Sequence, residues 1–184
     1  MQNPHRNSVT LVLGGVRSGK SRFALNMVLR AERVTFVATA QPSDDEMRRK
    51  IERHRQERPA QWSTREEPLK LDQAIAESEG TSEWIIIDCL TLFAANLQEA
   101  HSENQDAIWA SIDALCLALK KTNRRVVLVS NEVGCGIVPA YAAGRQFRDL
   151  LGEINQRVAA VANNVVLMVA GLPVWIKGSL EGPL

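Results

Sequence analysis

The sequence predicts an α/β fold of three layers, with helices on both faces of a mainly parallel central sheet. Three observations predict it. Five short apolar runs are continuous rather than alternating, as strands covered on both faces are. Segments of helical periodicity lie between them, the order that builds a parallel sheet from crossover units. A glycine-rich word separates the first strand from the first helix. The 184 residues fit a single domain, 1–184.

The elements follow in chain order. VTLVLGG, from Val9, is a buried-strand run that ends in glycine, and SRFALNMVLRAE after it sets Phe23, Met27 and Arg30 at helical spacing. RVTFVATA, from Arg33, is the second strand. Ser43 with Glu46 three residues on forms a capping box that opens a helix, and Pro59 ends it. PLKLDQAIAES reads as a helix with Pro68 in its first turn. EWIIIDCLT is the third strand. The stretch Glu99 to Gln105 and the terminal GSLEGPL read as mobile loops. From about Asn104 to Lys120 a helix carries Ile108, Ile112, Leu115 and Leu119 on one stripe. RRVVLVSNEVG and NVVLMVAG are two more strands, separated by a helix from about Tyr141 to Ala162.

Composition narrows the function. Hydrophobic residues make up 45% and charged residues 23%, as in an ordinary globular protein. A net charge of +1 argues against nucleic-acid binding, so a bound phosphate needs a local positive site. Cys89, Cys116 and Cys135 form no CxxC pair, which argues against a zinc site. An odd cysteine count behind the polar start MQNPHRNS fits a cytoplasmic protein without a signal peptide. No apolar run approaches the roughly 20 residues that span a bilayer.

Polar or glycine words stand at the carboxyl end of every expected strand: Gly14-Gly15, Ala38-Thr39-Ala40, Asp88, Asn131-Glu132 and Gly171. In open parallel sheets the ligand crevice lies at that edge. The first word opens GGVRSGKS, in which Gly14, Gly15, Val16, Arg17, Ser18, Gly19, Lys20 and Ser21 satisfy the P-loop pattern between a strand and a helix. Its glycines let backbone N–H groups curl toward phosphate oxygens at a helix N-terminus. Lys20 would reach the β- and γ-phosphates, and the Ser21 hydroxyl would ligate Mg2+. Asp88 suits the second magnesium contact, direct or through water, although a strand-end turn residue is the other reading. The NKxD and DxxG words of GTPases and the dinucleotide word GxGxxG are absent, so the loop names neither the nucleotide nor the reaction.

DDEMRRKIERHRQERP, from Asp44, holds one histidine among arginines. Met47, Ile51, His54 and Arg58 fall on one helical stripe, with Arg48, Arg49, Arg53 and Arg55 on other faces. Acidic residues at the start and basic ones at the end follow the helix dipole, and no aromatic residues interleave as single-strand binders require. By itself His54 reads as structural. Beside bound phosphates its imidazole becomes a nucleophile or a general base. Glu132, at a strand end, is either a kinase base or the residue that closes its own turn.

LVLGGVRSGKSRFA, VATAQPSDDEMRRKIERHRQERP, IIIDCLTLFAANL, VVLVSNEVGCGIVP and FRDLLGEINQRVA, in that order, resemble the bifunctional adenosylcobinamide kinase / adenosylcobinamide-phosphate guanylyltransferase family. The likeness runs from about Leu11 to Lys177. It implies a P-loop NTPase-type α/β fold. It also implies phosphorylation of adenosylcobinamide by ATP or GTP, then transfer of GMP from GTP to that phosphate through a guanylyl-histidine. His54 stands at the position of that histidine, with Lys20 as the other catalytic residue. Nucleotide contacts are implied for Gly14 to Ser21, for Ala38, Thr39 and Ala40, for Arg55, Gln56, Glu57 and Arg58, and for Glu66 and Asp88. The resemblance further implies Mg2+, a corrinoid substrate and a homotrimer. Some relatives carry two adjacent histidines where this chain has Arg53 and His54. A monofunctional P-loop kinase, or a nucleotide-dependent binding module, remain the alternatives on the residues alone.

Overall fold

The computed structural model describes residues 8–42, 44–56 and 58–179, with the side chains of residues 46, 50 and 54 outside the description. In chain order the elements are β1 (Val9–Gly14), α1 (Lys20–Val28), β2 (Val34–Ala38), α2 (Asp45–Gln56), β3 (Ser63–Glu66), α3 (Leu71–Ser78), β4 (Trp84–Asp88), α4 (Leu90–Ala100), α5 (Gln105–Lys121), β5 (Arg125–Val129), α6 (Ala142–Val161), β6 (Asn164–Val169) and β7 (Leu172–Lys177). The strands make one sheet in the order β3-β2-β4-β5-β1-β6-β7. Every pairing is parallel except β6 with β7.

The continuous apolar runs have the cause expected of them. Along β4, Ile85 and Ile87 pack on one face and Ile86 on the other; along β1, Leu11 and Val12 divide in the same way. The period of two is present, but both faces are dry, so nearly every position is apolar, buried Thr10 and Thr35 being exceptions. One face carries α3, α4, α5 and α6 through residues such as Ile75, Phe93, Ile112 and Ile154. The other carries α1 through Phe23, Ala24 and Val28, with Trp62. The stripe Ile108, Ile112, Leu115 and Leu119 of α5 is buried, and its N-cap Asn104 accepts a hydrogen bond from the Ala107 N–H at 3.1 Å.

Several expectations are corrected. Helix α4 was not read, although Leu90, Phe93, Ala94 and Leu97 lie on its buried side; Glu99 and Ala100 therefore belong to a helix and not to a loop. Helix α3 begins at Leu71, three residues after Pro68, because the Glu67 carboxylate accepts from the Leu69 and Lys70 N–H groups and holds an entry turn. Strand β3 has the polar sequence STRE and is mostly exposed, so it carries no hydrophobic signal. Strand β7 adds a hairpin through Ala170 and Gly171, both at positive φ, 51° and 84°. Of the capping box, Ser43 and the Glu46 side chain lie outside the described residues; Asp44 itself accepts from the Met47 N–H at 2.7 Å.

Candidate active site at the carboxyl edge of the sheet

At Gly14 and Gly19 the glycine-rich loop is shaped by contacts that leave no room for a side chain. A Cβ on Gly14 would sit 2.5 Å from Ser18 Oγ and 2.7 Å from the Met168 carbonyl. Gly19 has φ of 96° and packs its backbone on Gly171, whose Cα a Cβ would approach to 3.2 Å. Two backbone bonds hold the loop from outside. Glu132 N–H donates to the Gly14 carbonyl and Gly171 N–H to the Ser18 carbonyl, each at 3.0 Å. Helix α1 starts at Lys20, so the loop presents its N–H groups at a helix N-terminus, where an anion is favoured. Lys20 is 8% exposed, and its ammonium donates to the Gly15 carbonyl at 2.6 Å, which folds it back over the loop.

The neighbouring strand ends are tied together beneath the site. Ala38 and Asp88 are direct partners in the β2–β4 ladder. Thr39, wholly buried, accepts from the Cys89 N–H at 2.7 Å and donates to the Cys89 carbonyl at 2.8 Å. Asn96 of α4 donates to the carbonyls of Thr39 and Pro68, at 2.8 and 3.1 Å. Burial and the adjacent Asp88 carboxylate push the Cys89 thiol up to about 11, so it stays protonated at neutral pH and is no nucleophile.

A cleft of about 930 Å³ opens above these ends, roofed by α2. Its charge is lopsided. Lys20 and the arginines 17, 22, 49, 53 and 58 line it, against the single carboxylate of Asp88 among the described lining residues. That is the local positive site which the near-zero net charge required. No group of three or more His, Cys, Asp or Glu that could hold a metal occurs among the described residues.

The expected site residues do not all meet in the cleft. Val16, Arg17, Ser18, Gly19, Lys20 and Ser21 line the cleft, as do Ala38, Ala40, Arg58 and Asp88. Arg58 is fixed there by Phe36, with its guanidinium 3.4 Å from the ring centroid. Gly14 and Gly15 contribute backbone behind the lining, and Thr39 is a buried tie. Arg55, Gln56 and Glu66 are exposed and outside the lining; Gln56 donates to Glu52 instead. Glu57 and the His54 side chain lie outside the described residues, although residue 54 belongs to α2. Glu132 serves its own turn. Its carboxylate accepts from the Gly134 and Cys135 N–H groups at 2.7 and 3.2 Å. Desolvation alone would raise its pKa, but these donors, the Cys135 thiol and Arg148 hold it below the usual carboxylate value.

One expectation about α2 fails. Arg49 and Arg53 were assigned to faces away from the inward stripe, yet both line the cleft together with Met47 and Ile51. A helix packed on a core buries one stripe; a helix standing over a solvent-filled cleft presents two flanks to it. One flank here is apolar and the other cationic. Asn131 lines the cleft, at the edge where its strand-end word placed it; Arg22 and Leu92 were missed, since nothing in their local sequence marks them.

A family model for cobinamide kinase / cobinamide phosphate guanyltransferase matches residues 10–176. The chain belongs to this family. It is accordingly a nucleotide-using transferase with kinase and guanyltransferase activities. It is 42% identical over 178 residues to the bifunctional adenosylcobalamin biosynthesis protein CobU of Escherichia coli, covering 91% of this chain and 98% of that one. The protein of the same name from Salmonella typhimurium is 41% identical with the same coverage. The CobP protein of Pseudomonas aeruginosa is 39% identical over 169 residues, covering 91% and 96%. Among solved structures, an ATPase of the type III secretion system of pathogenic bacteria superposes with a TM-score of 0.56 at 9% identity, over 91% of this chain and 56% of the other. A Pyrococcus horikoshii protein gives 0.54 at 8% identity, over 95% and 88%. These two share the α/β fold and speak for that alone.

Proposed function

We propose that one cleft performs both family reactions in cobalamin synthesis, with ATP or GTP phosphorylating adenosylcobinamide and GTP then supplying GMP to the product. The observation that carries this reading is the placing of α2 over the phosphate cradle. The helix that holds residue 54 and the loop that holds Lys20 line the same space.

In the kinase step the substrate hydroxyl attacks the γ-phosphorus, the bond from that phosphorus to the β,γ-bridging oxygen breaks, nucleoside diphosphate leaves with the electron pair, and the hydroxyl proton passes to solvent. The cradle's N–H groups and Lys20 hold the triphosphate in line and offset its developing charge. In the second reaction the free ring nitrogen of a neutral His54 attacks the α-phosphorus of GTP. A P–N bond forms, a P–O bond breaks, and pyrophosphate leaves with the electron pair. The adduct is a phosphoimidazolium that keeps its other N–H. An oxygen of the acceptor phosphate then attacks, the P–N electron pair returns to nitrogen, and neutral imidazole is regenerated with no net proton change. Ser21 and Asp88 offer a hydroxyl and a carboxylate on one cleft wall, the hard oxygen donors that suit magnesium held mostly by phosphates and water. Bound there, Mg2+ would offset the charge of the leaving group.

GTP labelled at the α-phosphate tests the reading. It should give an acid-labile, base-stable protein adduct, absent from His54→Ala, in which kinase turnover persists. Equal labelling of His54→Ala sinks the histidyl route. The working form is proposed as a cytoplasmic homotrimer. Leu172, Val174 and Ile176 support assembly, since they project exposed from the edge strand β7. A monomeric mass by light scattering would refute it. No helix among the described residues is long and apolar enough to cross a membrane.

A further inference from the structure

We infer that Arg49 and Arg53 form the subsite for the phosphate monoester of the second-step acceptor, and so select phosphorylated over unphosphorylated corrinoid. The inference rests on the guanylyl-histidine reading above.

Both guanidinium groups line the cleft, and neither makes an ion pair or hydrogen bond among the described residues. The contrast is with other arginines. Arg48, on the same helix, pairs with Asp45 at 2.8 Å, and Arg157 is held by Asp113 and Glu153. Arg58, also in the cleft, is fixed on Phe36. Arg49 and Arg53 stand one helical turn apart, so their forks can close on a single anion. At about 100° per residue, position 54 continues the apolar flank, about 20° round the helix from Met47 and about 100° from Arg53.

The chemistry needs cations at that place. The β- and γ-phosphates already have the cradle, Lys20 and the magnesium that Ser21 and Asp88 would hold. In the second half-reaction, however, an anionic phosphate must approach the phosphoryl group carried on residue 54. Two like charges meet there, on α2. Cations on the same helix, one adjacent to the acceptor residue and one five residues before it, lower that repulsion. An alcohol substrate gains nothing from them, hence the selectivity.

The test separates loading from discharge. Wild type, Arg49→Ala, Arg53→Ala and the double variant are loaded with α-labelled GTP, freed of nucleotide, and chased with increasing adenosylcobinamide phosphate. Each single substitution should raise the half-saturating acceptor concentration about tenfold or more. Lysine at both positions should restore part of the loss, because it supplies charge without the fork. A half-saturating concentration equal to that of wild type overturns the inference. So does a loss of loading in proportion to discharge, which would assign the pair to GTP. Absence of label on wild type refutes the guanylyl-histidine itself. Calorimetric binding of the acceptor to unlabelled protein then still decides the subsite: affinity unchanged in the double variant rejects it, and weakened affinity keeps it.

Discussion

Thr39→Val removes one hydroxyl and keeps the side chain's shape, at a position where packing is complete. The Thr39 hydroxyl holds both the N–H and the carbonyl of Cys89, at 2.7 and 2.8 Å, and valine holds neither. Each buried backbone group left without a partner costs about 1–3 kcal/mol. Cys89 lines the cleft, where water can reach part of the peptide, so the lower half of that range applies. Two groups then cost about 2–4 kcal/mol together. For a chain of this length that is a fall in Tm of about 4–16 °C. The same peptide follows Asp88, so nucleotide affinity measured in magnesium should weaken as well, while affinity without magnesium changes less. Differential scanning calorimetry and nucleotide titration with and without magnesium check both parts. A Tm within 1 °C of wild type, or an equal loss of affinity in the two conditions, would refute the reasoning.

Two further outcomes follow from the loop supports. Gly171→Val forces a β-branched residue to φ of 84° at the turn that donates to Ser18, a strain of about 1–3 kcal/mol. Nucleotide binding should weaken about tenfold as the brace is lost, and unchanged affinity in a destabilised variant would show that the turn does not support the loop. Glu132→Gln should cost stability with a defined pH dependence. The folded carboxyl titrates below its ordinary 4.5, so the advantage of wild type is full above that value. It declines as pH falls through the lower folded pKa. Thermal melts of both proteins from pH 7 to pH 3 should converge toward the acid end, and a constant gap would reject the role.

How much was legible follows from how local each signal is. The five central strands, α1, α5 and α6 were readable because each buries a face, and burial imposes a hydrophobic period on the chain. Strand β3 was hidden because an edge strand of Ser, Thr, Arg and Glu is held by ladder hydrogen bonds, which any residue but proline can make. Helix α4 was hidden because its apolar start runs straight on from β4. The cradle was legible because its glycines answer to backbone geometry within eight residues. Its outer support at Gly171 was not, since some 150 residues separate it from the loop.

The sequence alone determined the layer order, the phosphate loop and the likeness to one family, since these depend on short-range pattern and on backbone shape. Only the tertiary structure decided what each polar residue faces. It made Thr39 a buried tie, spent the Glu132 carboxylate on its own turn, and brought Arg49 and Arg53 into the cleft. The physical reason is that a side chain's role is set by its neighbours across the sheet edge. Those neighbours arrive from strands far apart in the chain, where no local periodicity records them.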